Sequence, residues 1–188
     1  MAVGLGVTFA DDHLVFPENH LSRIGGSGDG TLAAAAIRDA DPAASPPEVR
    51  TKSGETLFVS ATQRQDLEQF CQAYQVPIRK RQDVWGDLLE PFLDTQFTVQ
   101  HQAATLVRLH DAGLTDAEID QIRAKVGPLM LAYNAYYWDW HHLGLADLLV
   151  AATGDWLPEH ERAALGATAS FYSWAMGIAN RTGPQPGA

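Results

Sequence analysis

The chain has 188 residues, with 13 Lys and Arg against 23 Asp and Glu for a formal net charge of −10, and 46% hydrophobic against 19% charged residues. That length is enough for one domain with a real core, and the acid excess argues against a phosphate-backbone binder, which needs clustered Lys and Arg. No nucleic-acid partner is expected, and with Cys71 as the only cysteine neither an intrachain disulfide nor a cysteine-rich zinc site is available.

The opening MAVGLGVTF has no basic start, and its apolar run stops at Asp11 and Asp12. It is too short for a signal peptide or a membrane span, so a soluble, cytoplasmic protein with no membrane partner is expected. Leu5 to Phe9 and His13 to Phe16 read as two short strands joined by a hairpin turn at Ala10 to Asp12. Residues 17 to 30 are polar and glycine-rich, and Thr31 to Arg38 reads as a short alanine-rich helix. The stretch DADPAASPPE, 39 to 48, has prolines that remove backbone donors and reads as an exposed loop. Glu55 to Ser60 has strand character.

Helical signals then dominate. Thr62 with Gln65 forms a capping box ahead of a stripe at Leu67, Phe70, Cys71 and Tyr74, ended by Pro77. Arg79, Lys80 and Arg81 make a solvated basic loop. A second helix starts near Asp83 and turns Val84, Trp85, Leu88, Leu89 and Phe92 inward, with Pro91 kinking or dividing it. Thr98 caps a third, whose inward face is Val99, Ala103, Leu106, Val107 and His110, and which stops at Gly113. Thr115 and Glu118 form the strongest capping box and start a helix bearing Ile119, Ile122 and Val126, expected to break at Gly127 and Pro128. A long helix, 128 to 151, is expected next, and a last one from Pro158 to Asn180.

These elements predict a mainly α fold: a single-domain helical bundle of five or six helices with a small N-terminal β hairpin or sheet. Residues 1–60 form the β and loop region, 61–180 the helical domain and 181–188 a disordered tail.

The segment YNAYYWDWHHLG, Tyr133 to Gly144, concentrates aromatic bulk and titratable groups. On a helix, Asp139 and His142 share a face at i and i+3, a carboxylate version of the Glu-x-x-His pair of di-iron bundles, although no second such pair occurs. A mononuclear site would pair His141 or His142 with His110 or His101 and take Asp139 or Asp147 as a further ligand, because imidazole and carboxylate suit divalent transition metals. Asn134 lies seven residues before His141, so the two would project along one line, flanked by Trp138. They read as an interhelical hydrogen-bond pair or the lining of a pocket.

Two shorter patterns add no function. Gly28-Asp29-Gly30-Thr31-Leu32 resembles the GGDGT signature of NAD and lipid kinases; the match covers five residues, without the hydrophobic strand or the two-domain fold such kinases have. Leu106 to Ile122 resembles the first half of a helix-turn-helix, but Asp116, Glu118 and Asp120 fill the would-be recognition helix and would repel phosphates, so an ordinary helical corner is expected.

The expected function is an acidic helical protein acting through protein–protein contact or scaffolding, with a protein partner or a homo-oligomer. Its candidate pocket or interface comprises Asn134, Tyr137, Trp138, Trp140 and His141. No cofactor is expected. The alternative is a metal-dependent enzyme holding a divalent transition metal on His110, Asp139 and His142; a third reading is a small-ligand pocket among Tyr133, Tyr137 and Trp140.

Overall fold

The computed structural model describes residues 6–17, 30–138 and 141–181, and its chain divides into two units, Met1–Arg81 and Gln82–Ala188. Among the described residues it holds seven α-helices and two three-stranded antiparallel sheets. The fold is thus mixed α and β, which corrects the expected mainly helical bundle with one small sheet.

In the first unit, β1 (Thr8–Ala10) and β2 (His13–Val15) form the expected hairpin, with Asp11 at φ 20° in its turn. The expected helix at Thr31–Arg38 is absent. Thr31–Ala33 is β3, paired with β2, and after one 3-10 turn Ile37–Asp41 is β4. Eight residues of helix nucleate poorly in isolation, whereas Leu32 packs on the core and Ile37 and Ala40 are part of it. The expected loop at 39–48 is mostly a hairpin: β4 pairs antiparallel with β5 (Glu48–Thr51), and the prolines sit in the turn between them.

Polar residues hid these strands, because the side chains a strand pattern would place outside are buried and bonded to one another. Arg50 donates to Asp39, to Glu48 and to the Arg79 carbonyl, while Arg81 meets Glu48 at 2.7 Å. Burial pushes the Glu48 carboxyl above its ordinary range, against the opposing pull of Arg81 and Arg50. β6 (Thr56–Phe58) completes the sheet where strand character is expected.

Helix α1 (Arg64–Ala73) buries Leu67, Phe70 and Cys71 against the same core. It starts differently from the expected Thr62–Gln65 box: Ser60 caps a 3-10 turn through Thr62 N, and Gln63 instead bonds the backbone of Val7 through both amide atoms, at 2.9 and 2.7 Å. Burial pushes the Cys71 thiol up to about 11, with Glu68 adding to it.

In the second unit, Asp83 caps α2 (Val84–Leu89) by accepting from Gly86 N at 2.9 Å. This short helix is central: Val84, Trp85, Leu88 and Leu89 are buried, and Trp85 donates its indole N–H to the Ala175 carbonyl at 3.0 Å. Its open C-terminal carbonyls receive Arg123, whose guanidinium donates to Leu88 O and Asp87 O at 3.1 and 3.2 Å. Thr98 caps α3 (Val99–Asp111), but α3 is turned the other way from the expected packing. Thr105 and Leu109 are buried, while Val99, Ala103, Leu106, Val107 and His110 are exposed. Hydrogen bonds decide that choice: Arg108 clamps Asp87 at 2.6 to 3.1 Å, and Thr105 donates to Glu90 at 2.9 Å.

A corner with Gly113 at φ 80° leads into α4 (Asp116–Tyr137), and both arms of the Thr115–Glu118 capping box form. The expected break at Gly127–Pro128 does not occur. An interior proline costs about 3 kcal/mol, and the buried stripe Ile122, Val126, Leu129, Met130 and Tyr133 runs across it, each large side chain contributing about 1.5–3 kcal/mol. Gly127 belongs to this packing, since a Cβ there would stand 3.0 Å from the Phe92 ring.

The expected helix 128–151 instead ends at Trp138, in the left-handed region at φ 54°, and a new helix, α5 (Leu145–Thr153), follows. Asp147 accepts from Gly144 N at 2.9 Å and so satisfies a donor at the new N-terminus. The expected last helix is likewise two, α6 (Glu159–Ala163) and α7 (Thr168–Ala179), with Gly166 at φ 86° between them. The glycine-rich stretch through Asp29 and the tail from residue 182 lie outside the described residues.

Candidate interaction surface

The end of α4 builds the most conspicuous surface of the second unit. Tyr133 is buried there and donates its hydroxyl to Asp147 at 3.0 Å, which fixes its ring. Tyr137, one turn on, packs on it with rings tilted by 36° at 4.7 Å between centroids, and Tyr136 meets Tyr137 edge to face at 5.2 Å. Trp156, from the loop after α5, closes the group at 4.9 Å from Tyr136, 5.2 Å from Tyr137 and 5.8 Å from Tyr133. Gly154 permits that return of the chain, because a Cβ there would come within 2.6 Å of the Trp156 indole nitrogen.

The cluster is held from below and open above. Tyr136 is 67% exposed and Trp138 64%, with Tyr137 and Trp156 also at the surface. Beside them a shallow groove of about 240 Å³ runs between Leu131, Asn134, Ala135 and Trp138 on one side and Pro91 to Asp94 on the other. Its floor is tied by Asn134, buried, donating to the Phe92 carbonyl at 2.9 Å. Tyr136, Tyr137 and Trp156 thus form one anchored, solvent-facing cluster, and Trp138 exposes a further ring at the rim of the groove, an arrangement that fits a protein partner.

Of the residues proposed from sequence, Tyr137 and Trp138 belong to this surface, and Asn134 lies beneath it. Trp140 and Asp139 fall outside the described residues. His141 is exposed in the segment after α4, so the helical line shared with Asn134 does not form. Tyr136 and Leu131 were missed; their exposure follows from the phase and end point of α4, which the aromatic run alone does not reveal. Tyr133 and Tyr137, read as lining a small-ligand pocket, pack against each other's rings.

The histidines proposed for a metal have separate carboxylate partners. His110 meets Asp116 at 2.8 Å and His142 meets Asp83 at 2.7 Å, while His101 engages Glu90 at 2.5 Å and stacks on Phe97. α4 ends at Tyr137, before the proposed pair, and Asp139 lies outside the described residues. Among the described residues, no group of three or more His, Cys, Asp or Glu side chains is placed to hold a metal ion. Nor is any described helix long and apolar enough to cross a membrane.

In comparisons with models of known protein families, with curated proteins and with solved structures, nothing matches the chain.

Proposed function

We propose that the protein is an interaction or scaffolding module that binds a protein partner through the aromatic surface at the end of α4. The observation that carries this is two exposed aromatic groups at one helix end: Tyr136, 67% exposed, on rings fixed by the Tyr133–Asp147 bond, and Trp138, 64% exposed, on the rim of the groove with Leu131 and Asn134. Tyr and Trp give large contact area at small entropic cost and dominate binding energy at protein interfaces. A rigid base lowers the ordering cost further. The cytoplasm is the setting we assign, where a chain with one buried thiol and no disulfide ordinarily works.

The test compares affinity capture by the full wild-type chain with capture by Trp138→Ser and Tyr136→Ser, after circular dichroism has shown all three equally folded. Proteins retained by the wild type and lost by more than tenfold with Trp138→Ser support the reading. A retained set unchanged by both substitutions, or an empty one, contradicts it.

A further inference from the structure

Glu118, Ile122 and Lys125 from α4 face Trp174, Gly177 and Ile178 from α7 across a cleft of about 530 Å³. That volume lies in the range of small-molecule sites, roughly 300–1,000 Å³. Ile122 and Ile178 are buried and make an apolar floor, and at the exposed Gly177 nothing stands within 4 Å of where a Cβ would be, which leaves room along that wall.

The charge of the cleft differs from that of the chain, whose formal net charge is −10. α7 contains no Asp, Glu, Lys or Arg. The single acid among the lining residues, Glu118, already accepts from Arg181 at 2.6 Å and from the Thr115 hydroxyl at 3.0 Å. Arg181 is used up in turn, since its other terminal nitrogen donates to the Gly113 carbonyl at 3.1 Å. Lys125 is left over. Its neighbours on α4 at three and four residues, Gln121, Ile122, Pro128 and Leu129, are uncharged, and among the described residues no carboxylate pairs with it. Its ammonium lies 4.5 Å over the Trp174 ring, a contact that places the charge at the cleft and leaves N–H donors for an anion. Glu118 stands seven residues away, about 10 Å along the helix, where physiological salt already weakens its effect on a bound anion.

We infer that the α4–α7 cleft binds a small amphipathic carboxylate, with its anion on Lys125 and its apolar body over Ile122, Gly177 and Ile178. One free cation matches one negative charge, whereas a polyphosphate would need several. A cationic ligand would meet Lys125 with no free acid to receive it, and a fully polar one would leave the isoleucine floor without apolar cover. The site uses none of the residues of the aromatic surface and stands independently of the function proposed there.

The experiment is isothermal titration calorimetry of the full chain with octanoate, octanol and octylamine, which share one apolar body and differ in charge. It is run on the wild type, Lys125→Gln, Gly177→Leu and Trp138→Ser. Lys125 and Gly177 are exposed and Gly177→Leu raises helix propensity, so the fold is expected to persist, as circular dichroism would verify. The expected result is saturable binding of octanoate, with octanol and octylamine at least about tenfold weaker. Lys125→Gln weakens octanoate by about tenfold and leaves octanol unchanged, Gly177→Leu weakens both by filling the cleft, and Trp138→Ser changes neither. Octanoate that does not saturate, octanol or octylamine bound as tightly, or an octanoate affinity unchanged in Lys125→Gln or Gly177→Leu overturns the inference. So does octanoate binding lost through Trp138→Ser, which would put the ligand on the aromatic surface instead.

Discussion

The Tyr133 hydroxyl donates to Asp147 at 3.0 Å, and the same carboxylate accepts from Gly144 N through its other oxygen at 2.9 Å. One side chain thereby ties the last turns of α4 to the first turn of α5 and sets the base on which the exposed rings stand. Replacing Tyr133 with Phe keeps the ring and removes the hydroxyl. A loss of about 0.5–1.5 kcal/mol is expected, measured by chemical denaturation, together with broadening of the Tyr137 ring resonances. An unchanged midpoint would show that the bond contributes nothing.

Gly154 holds the return of Trp156. Its φ of −67° suits any residue, so Gly154→Ala tests space and not backbone conformation. The added Cβ would stand 2.6 Å from the Trp156 indole nitrogen and 3.0 Å from the Val150 carbonyl. Trp156 is expected to leave the tyrosines, at a cost of about 1–3 kcal/mol, and its indole N–H signal to move toward the exposed value. A Trp156 signal that stays in place would sink this account of the loop.

Glu118 is held far below the ordinary carboxylate range, at about 2, first by the hydrogen bond from Arg181 and then by the Thr115 backbone and hydroxyl. The sign follows from a depressed folded-state value: the contribution is present above the ordinary value of 4.5 and is lost as pH falls toward about 2. A carbon-detected titration should find the Glu118 midpoint near that lower value in the wild type and higher in Arg181→Ala. Identical midpoints in the two proteins would remove Arg181 as the cause.

Local signals with a fixed geometry were legible in the sequence. Asp83, Thr98 and the Thr115–Glu118 box start helices where their side chains can reach free backbone N–H groups, and the hairpin around Asp11 follows its turn residues. Tertiary choices were not. Whether α3 turned Leu106 or Thr105 inward depended on Asp87 and Glu90 waiting on α2 and just past its end, 15 or more residues earlier in the chain. Pro128 stayed helical because burial continued on both sides of it. The end of α4 was readable in hindsight from Gly144 with Asp147 three residues later, the spacing of an N-cap and its partner. The aromatic segment stands out in the sequence, but the end of α4 at Trp138 decides what it presents: exposed Tyr136 and Trp138, an inward Asn134, and His142 paired with Asp83.

The most direct measurement of the aromatic surface as a binding site is site-specific photo-cross-linking in cells, with p-benzoylphenylalanine in place of Tyr136 and, as a control, in place of the exposed Gln72 on α1. The account expects a discrete protein adduct from Tyr136, absent at Gln72 and abolished by adding Trp138→Ser. No adduct at Tyr136, or the same adducts from both positions, would contradict it.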